Sequence, residues 1–435
     1  MSGEPIPREA PLPSRGSLLV RITAATALAL PAVVTLAGGL HPPPVPAVPV
    51  FGAGVLSAAI LLTWAAETAR ADLPGPLAVA LLALAAVLPQ YALDLYYAHS
   101  GGTRAPYTAL AAATMTGANR LLVGVGWALA ALAFALGVRR LTGRFPRGGS
   151  GRHAARGTGR ADLRLAARHR VELGFLALAA VLGFIPALTG EIGWYMALVL
   201  IVVYALYLVR VASGGPVDAG AAAGVPARLA ALPPRGRRAA AGAGFAAGAA
   251  VVAVSTARFG DALVGAGASL GVDEFLLVQW LAPVVIEAPL LVAAVMLAWR
   301  LRDADAIGTL LSSKVNQWTL LIALLPLAYR AGGGAWSLPL DSRQIEEVLL
   351  TASQTVLGLA LLIDLVFARW EAGVLVVLFA VQFVLPGEDA RLILSGVYLA
   401  IGFSVLIARY RELGDAMETV VRPGGRSARR RSRRR

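Results

Sequence analysis

Long apolar runs separated by short polar stretches account for most of this chain. Runs of about 17 to 30 largely apolar residues are long enough to cross a hydrocarbon core of about 30 Å as helices. They fall near 17–40, 48–66, 75–98, 106–138, 171–189, 192–211, 239–257, 274–299, 305–329, 347–367, 372–386 and 390–409. The pattern predicts an all-α polytopic membrane protein with about twelve transmembrane helices. The run at 106–138 is longer than one straight crossing needs and predicts a broken or steeply tilted helix. The run at 239–257 is mostly Ala, Gly and Val, residues that let helices pack closely.

Two pairs of runs carry polar residues in the same order. The first reads Leu88-Pro89-Gln90 and then Met115-Thr116-Gly117-Ala118-Asn119; the second reads Glu287-Ala288-Pro289 and then Ser312-Ser313-Lys314-Val315-Asn316-Gln317. The proline-to-asparagine separations are similar, 30 and 27 residues. Helix-breaking polar pairs of this kind, repeated in opposite orientation, are how a secondary transporter builds one ion site near the bilayer midplane.

The placement of charge supports that opposite orientation without using the motif. The chain has 435 residues, of which 57% are hydrophobic and 15% charged, and a formal net charge of +14. Residues 139–170 hold ten arginines against one acid, Asp162; Arg210 to Arg238 form a second basic loop; and Arg426 to Arg435 hold seven arginines. Such loops stay cytoplasmic. With twelve crossings all three fall on one side together with Arg8, Arg15 and Arg21, which predicts an N-in, C-in protein. The run with Pro89 then points outward and the run with Pro289 inward.

The expected organisation is an N-terminal segment 1–16, a first transmembrane half 17–138 with one repeat at about 60–130, and a basic loop 139–170. A transmembrane pair 171–211, a basic linker 212–238, a second half 239–409 with its repeat at about 273–330, and an arginine-rich tail 410–435 follow. Stretches 143–160 and 213–238 are rich in Gly, Ala, Pro and Arg, as flexible linkers are. The arginines suit contact with anionic lipid; no aromatic interleaving or nucleic-acid motif accompanies them, so nucleic acid is not an expected partner. No cleavable signal is evident in the polar, Pro-rich first sixteen residues. Cysteine is absent, which excludes disulfides and thiolate metal sites. Oligomeric state is not legible.

An ionised side chain deep in a bilayer costs a few kcal/mol or more and usually marks a pathway. Glu287 lies near the middle of its run and is the first candidate for a cation or proton carrier. Asp94, one turn beyond Gln90 on the same helix face, is the second; its nearness to the run's end also fits an interfacial residue. Glu67, Asp72, Glu191, Asp364 and Glu371 fall at run ends, where solvation is the default. Asn119, Asn316, Gln90 and Gln317 offer amide oxygens, and Thr116, Ser312 and Ser313 offer hydroxyls, ligands that suit a hard cation. Each has a structural alternative: the prolines as simple kinks, the asparagines as hydrogen bonds between helices. Lys314 is the sole lysine against thirty-eight arginines. A buried lysine can exchange a proton where arginine cannot.

The segment Leu311-Ser312-Ser313-Lys314-Val315-Asn316-Gln317-Trp318-Thr319-Leu320-Leu321, with Gln279-Trp280-Leu281-Ala282-Pro283 and Glu287-Ala288-Pro289 before it, resembles the sodium/calcium exchanger superfamily, in its bacterial sodium:proton exchanger branch. Gly117-Ala118-Asn119-Arg120-Leu121-Leu122-Val123-Gly124 resembles the matching element of the first repeat. The resemblance implies inverted-topology repeats, alternating access, a place in a bacterial cytoplasmic membrane and a transported cation held by Glu287, Asn119 and Asn316, with no cofactor. The superfamily typically carries a Pro-Glu pair in each repeat; here the pairs read Pro89-Gln90 and Pro289-Leu290. Two carboxylates less one ammonium leave a charge near minus one, which favours exchange of Na⁺ for H⁺ over Ca²⁺, with Lys314 tuning or sharing the proton. Ca²⁺ exchange, and a transport-inactive homologue serving as a scaffold, stay open as alternatives.

Enzymatic chemistry has little support. No Gly-Lys-Ser/Thr phosphate loop is present, His41, His99, His153 and His169 form no HExxH pair, and no GxSxG elbow occurs. A lipid enzyme using carboxylates is the remaining enzymatic alternative.

Overall fold

A computed structural model describes residues 14–73, 75–142, 162–213, 224–384 and 387–421. The segments expected to be linkers or tails at 143–160, 214–223 and 422–435 lie outside the described residues. The chain opens with α1 (Arg15–Ala27) and α2 (Leu30–Ala37), then α3 (Pro44–Ala69), α4 (Gly75–Gly101), α5 (Ala105–Leu121) and α6 (Trp127–Thr142). Strand β1 (Leu163–Arg164), α7 (Arg170–Leu182), α8 (Ile185–Thr189), β2 (Glu191–Ile192) and α9 (Trp194–Ser213) complete the first half. After α10 (Val225–Ala230) come α11 (Pro234–Leu270), α12 (Glu274–Trp299), α13 (Asp303–Asn316), α14 (Ile322–Ala331), β3 (Leu338–Pro339), α15 (Ser342–Leu362), β4 (Val366–Phe367), α16 (Arg369–Val384), α17 (Glu388–Ala408) and α18 (Tyr410–Val421). Part of the stretch read as a basic linker is therefore helical, since it contains α10 and the first turn of α11.

Each of the twelve apolar runs falls on a helix or helix pair. Eight spans among the described residues are long and apolar enough to cross a membrane, from Pro44–Asp72 to Glu388–Ala408. The run at 17–40 is a pair, α1 and α2, bent by 44°. The runs at 75–98, 305–329 and 372–386 correspond to α4, to α13 with α14, and to α16.

Proline does not break the helices as the sequence suggests. Pro89 sits inside continuous α4, and Pro283 and Pro289 inside continuous α12. Packing on neighbouring helices holds each helix together through the missing hydrogen bond. The irregularity lies one helix later: a π turn at Leu122–Gly126 joins α5 to α6, and another at Gln317–Leu321 joins α13 to α14. The run at 106–138 is thus one long helix with a π turn, the wide-turn irregularity that recurs at functional sites.

The two halves interlock with inverted symmetry. Strand β1, which precedes α7, pairs antiparallel with β4, which follows α15; β2, which follows α7 and α8, pairs with β3, which precedes α15. Helix α9 packs on the second π turn and α14, and α16 packs on the first π turn and α6. Helices α3 and α11 lie along each other as a further matched pair, so close that a Cβ on Gly54 would overlap Ser255.

The molecule buries a polar cluster within its apolar core and exposes apolar side chains on its outside. Leu198, Val202, Leu206 and Val209 of α9 and Ile393, Phe403 and Ile407 of α17 are exposed, while Asp94, Asn119 and Lys314 are fully buried. Exposed Trp194, Tyr195 and Trp336 lie at the end carrying the loops after α8, α11 and α14; Trp299, Trp370 and Tyr410 lie at the arginine-rich end. Two aromatic rims on an apolar belt fit a lipid bilayer. Hydroxyls inside the helices bond to carbonyls one turn back, as Thr319 does to Val315 (2.6 Å) and Thr351 to Glu347 (2.6 Å), so they need no water.

Candidate ion-binding site

The polar residues of the two repeats meet where α4, α5, α12 and α13 pack. On α4, Gln90 Nε2 donates to both oxygens of Asp94, at 2.9 and 2.8 Å. The four-residue spacing stacks the two side chains on one helix face. On the other side, Gln317 Nε2 donates to Glu287 Oε1 and reaches Ser313 Oγ at 3.3 Å. Asp94 is 0% and Glu287 3% exposed, which removes the interfacial alternative for Asp94. The two carboxylates are near enough to repel each other when both are ionised.

Four hydrogen bonds join one half to the other. Lys314 Nζ donates to Asn119 Oδ1 (2.9 Å) and lies over the Trp318 ring at 4.5 Å. Tyr91 donates its hydroxyl to Asn316 Oδ1 (2.6 Å), and Asn316 Nδ2 donates to the Tyr204 hydroxyl (2.7 Å). Gln279 Nε2 donates to Thr116 Oγ1 (3.3 Å). Gly117 makes the α5–α12 contact possible, because a Cβ there would overlap the backbone carbonyl of Gln279. Pro283 frees that same carbonyl of its helical hydrogen bond.

Of the residues expected at the site, Glu287, Gln317, Ser313 and the Gln90–Asp94 pair are gathered around the carboxylates, and Asn119, Asn316, Lys314 and Thr116 lie on the bonds between repeats. Ser312 is half-buried and partners Tyr207 of α9 instead. Lys314 contacts an amide oxygen and an aromatic face, so the expected proton sharing with Glu287 has no direct hydrogen bond here. Glu371 and Asp364, expected to be solvated, hold Arg409 at 3.1 Å each, and Glu371 is buried.

Sequence reasoning missed Tyr91, Tyr204, Gln279 and the buried ion pair of Arg120 with Glu347. An arginine in the middle of an apolar run was a usable signal for the last. Glu347 stood at a run boundary, where hydropathy does not separate a buried carboxylate from a solvated one.

What could this arrangement hold? Gln90 Oε1 and Gln317 Oε1 are buried and have no hydrogen-bond partner. Each belongs to an amide whose NH₂ is tied to a carboxylate, so in each repeat a carboxylate and an unsatisfied carbonyl oxygen lie side by side. Buried acceptors without donors are rare and call for an explanation; a hard cation supplies one. Among the described residues no three His, Asp or Glu side chains converge on one point, so amide, hydroxyl and backbone oxygens must complete any cation shell.

Inverted repeats that place carboxylates and amides at a buried centre define a secondary cation transporter. The profile of the family described as sodium/calcium exchanger protein matches residues 48–212 and 240–386, which correspond to α3–α9 and to α11–α16. The crystal structure of the H⁺/Ca²⁺ exchanger CAX shares 36% identity and superposes with a TM-score of 0.85 over 93% of this chain and 98% of that one. The Ca²⁺/H⁺ antiporter protein YfkE has the same fold at 13% identity, with a TM-score of 0.54 over 88% of this chain and 99% of that one. No match was found among curated proteins. The chain belongs to the sodium/calcium exchanger family of cation exchangers: it is an integral membrane transporter, not an enzyme, and cations are its cargo.

Proposed function

We propose that the protein is a proton-coupled cation antiporter in which Asp94 and Glu287 are alternately protonated and cation-bound. The observation that carries this is the pair of buried, unpartnered amide oxygens, Gln90 Oε1 and Gln317 Oε1, each beside one carboxylate. Protonated carboxyls need no cation; ionised ones in a bilayer do. Two protons balance one divalent cation, and similarity to an H⁺/Ca²⁺ exchanger favours Ca²⁺. Lys314 touches neither carboxylate, which leaves both charges available to Ca²⁺. The second reading, Na⁺ for H⁺, is favoured by the ammonium itself: with Lys314 protonated, the site charge suits a monovalent ion.

Purified protein in proteoliposomes with an imposed pH gradient tests this. Ca²⁺ is expected to collapse the gradient, Na⁺ less so, and Glu287→Gln and Asp94→Asn to abolish the response. An unchanged response in Glu287→Gln would rule out the assignment. We place the arginine-rich end in the cytoplasm of a bacterial cell, with both termini inside, because arginine-rich loops are retained there, and its arginines against anionic lipid.

A further inference from the structure

Helices α3 and α11 form one close pair, since a Cβ on Gly248 would overlap Leu62 as one on Gly54 would overlap Ser255. At the end away from the arginine-rich loops, three tyrosines bond this pair to the first repeat. Tyr96 of α4 and Tyr107 of α5 donate their hydroxyls to the same oxygen of Asp261 on α11, Oδ1, at 2.6 and 2.7 Å. Tyr97 donates to the backbone carbonyl of Gly260 at 3.1 Å. The three rings touch, with centres 5.7, 5.9 and 6.2 Å apart. The Arg104 guanidinium covers the Tyr107 ring, 4.3 Å from its centre.

Tyrosines near a bilayer surface ordinarily turn their hydroxyls toward headgroups and water. Here Tyr97 is fully buried, and the hydroxyls of Tyr96 and Tyr107 converge on one carboxylate oxygen instead. Hydrogen bonds to an ionised acceptor are the strong kind, and Asp261 is exposed, so its charge costs little desolvation. Gly260 lets α11 come close to α4: a Cβ there would stand 3.1 Å from Leu93 and 3.2 Å from Tyr96 and Tyr97.

The cluster stands directly over one of the two site carboxylates. Tyr97 is one helical turn beyond Asp94 on α4, and the charge of Asp94 reaches its hydroxyl. Leu93, beside Asp94, is fully buried against Gly260. From Asp94 toward the nearer end of the molecule, α4 presents Tyr97 and then the Tyr96–Asp261–Tyr107 bridge, with α11 lying across both.

We propose that Asp261 is a positioning residue of the exchange cycle, a latch that holds α11 over Leu93 and Tyr97 and shuts the way from the external solution to Asp94. When Tyr96 and Tyr107 release it, the α3–α11 pair parts from α4 and that way opens. This rests on the antiport reading and on the orientation given above. Asp261 touches none of the candidate cation ligands, so it acts on access alone, and weakening it leaves the site facing outward for more of each cycle.

The absence of native cysteine allows a direct test with two reporters in the full chain. Leu93→Cys lies under the latch, and Ala306→Cys is equally buried in the first turn of α13, at the arginine-rich end. A membrane-impermeant maleimide is applied to intact cells for the first and to inverted vesicles for the second. Asp261→Ala, and separately Tyr96→Phe/Tyr107→Phe, which keeps the rings and removes both hydroxyls, are expected to speed labelling of Leu93→Cys roughly tenfold, as loss of a hydrogen bond to a charged group should. Neither variant should speed labelling of Ala306→Cys. Unchanged labelling of Leu93→Cys in both variants, or an equal rise at the two reporters, which marks general loosening of the fold, overturns the latch and leaves the antiport reading standing. A wild type that exchanges no cation for protons in proteoliposomes overturns the antiport reading, and the part given to Asp261 in exchange falls with it.

Discussion

At the scale of single residues, the site is governed by which polar atoms have partners. Lys314 sits among neutral oxygens and an aromatic face, so its charge acts on the cation through space. When protonated it sets one positive charge at the centre, which Met would remove, and screened repulsion over several ångströms of protein is worth roughly 1–2 kcal/mol. Lys314→Met is therefore expected to tighten Ca²⁺ binding by about tenfold and Na⁺ binding less, measured by competition in detergent; equal effects on both ions would remove its role in ion choice. Asn119, Asn316, Glu287 and Asp94 stood out in the sequence because a polar side chain in an apolar run needs a partner inside the protein. Their partners were not: whether Lys314 meets Glu287 or Asn119 depends on the rotation of α13 about its axis, which no local pattern records.

At the scale of elements, close approach of helices sets what the site tolerates. The Gly117–Gln279 contact fixes α5 against α12, so Gly117→Val should force them apart, destabilise the protein by about 1–3 kcal/mol and abolish exchange even though no ligand is removed. A folded, fully active Gly117→Val protein in a thermal-shift and transport assay would refute that tight fit. Outside the bilayer, Asp273 caps α12 through Phe275 N (2.8 Å) and accepts from Arg343 Nη1 (2.6 Å). Partial burial raises its pKa, but the Arg343 hydrogen bond and charge, with the cap, more than offset this and hold it below the ordinary value. A depressed carboxylate contributes stability above its unfolded pKa, near 4, and loses it only as pH falls through the lower folded value. Asp273→Asn is thus expected to lower melting temperature by a constant amount from pH 5 to 8, with convergence on wild type only below about pH 4. The helices themselves were legible from run length alone. The π turns were not, because the sequence marks Pro89 and Pro289 as breaks, and only tertiary packing shows that those helices hold and that the irregularity falls after Asn119 and Asn316.

At the scale of the whole molecule, orientation is open to a direct test because the chain has no cysteine of its own. Ala335→Cys, between α14 and β3, should react with a membrane-impermeant maleimide on intact cells, and Arg238→Cys, at the arginine-rich end, only after permeabilisation; the reverse pattern would invert the proposed topology. The crosswise strand pairs have a further consequence, for synthesis. Leu163 finds its partner only in Phe367, and at 5–20 residues per second the ribosome needs about 10–40 s to deliver it. The first repeat thus waits in the membrane with its acceptor strand unpaired and its carboxylate at Asp94 uncovered. Truncations before α15 are therefore expected to be degraded and not to accumulate as stable fragments.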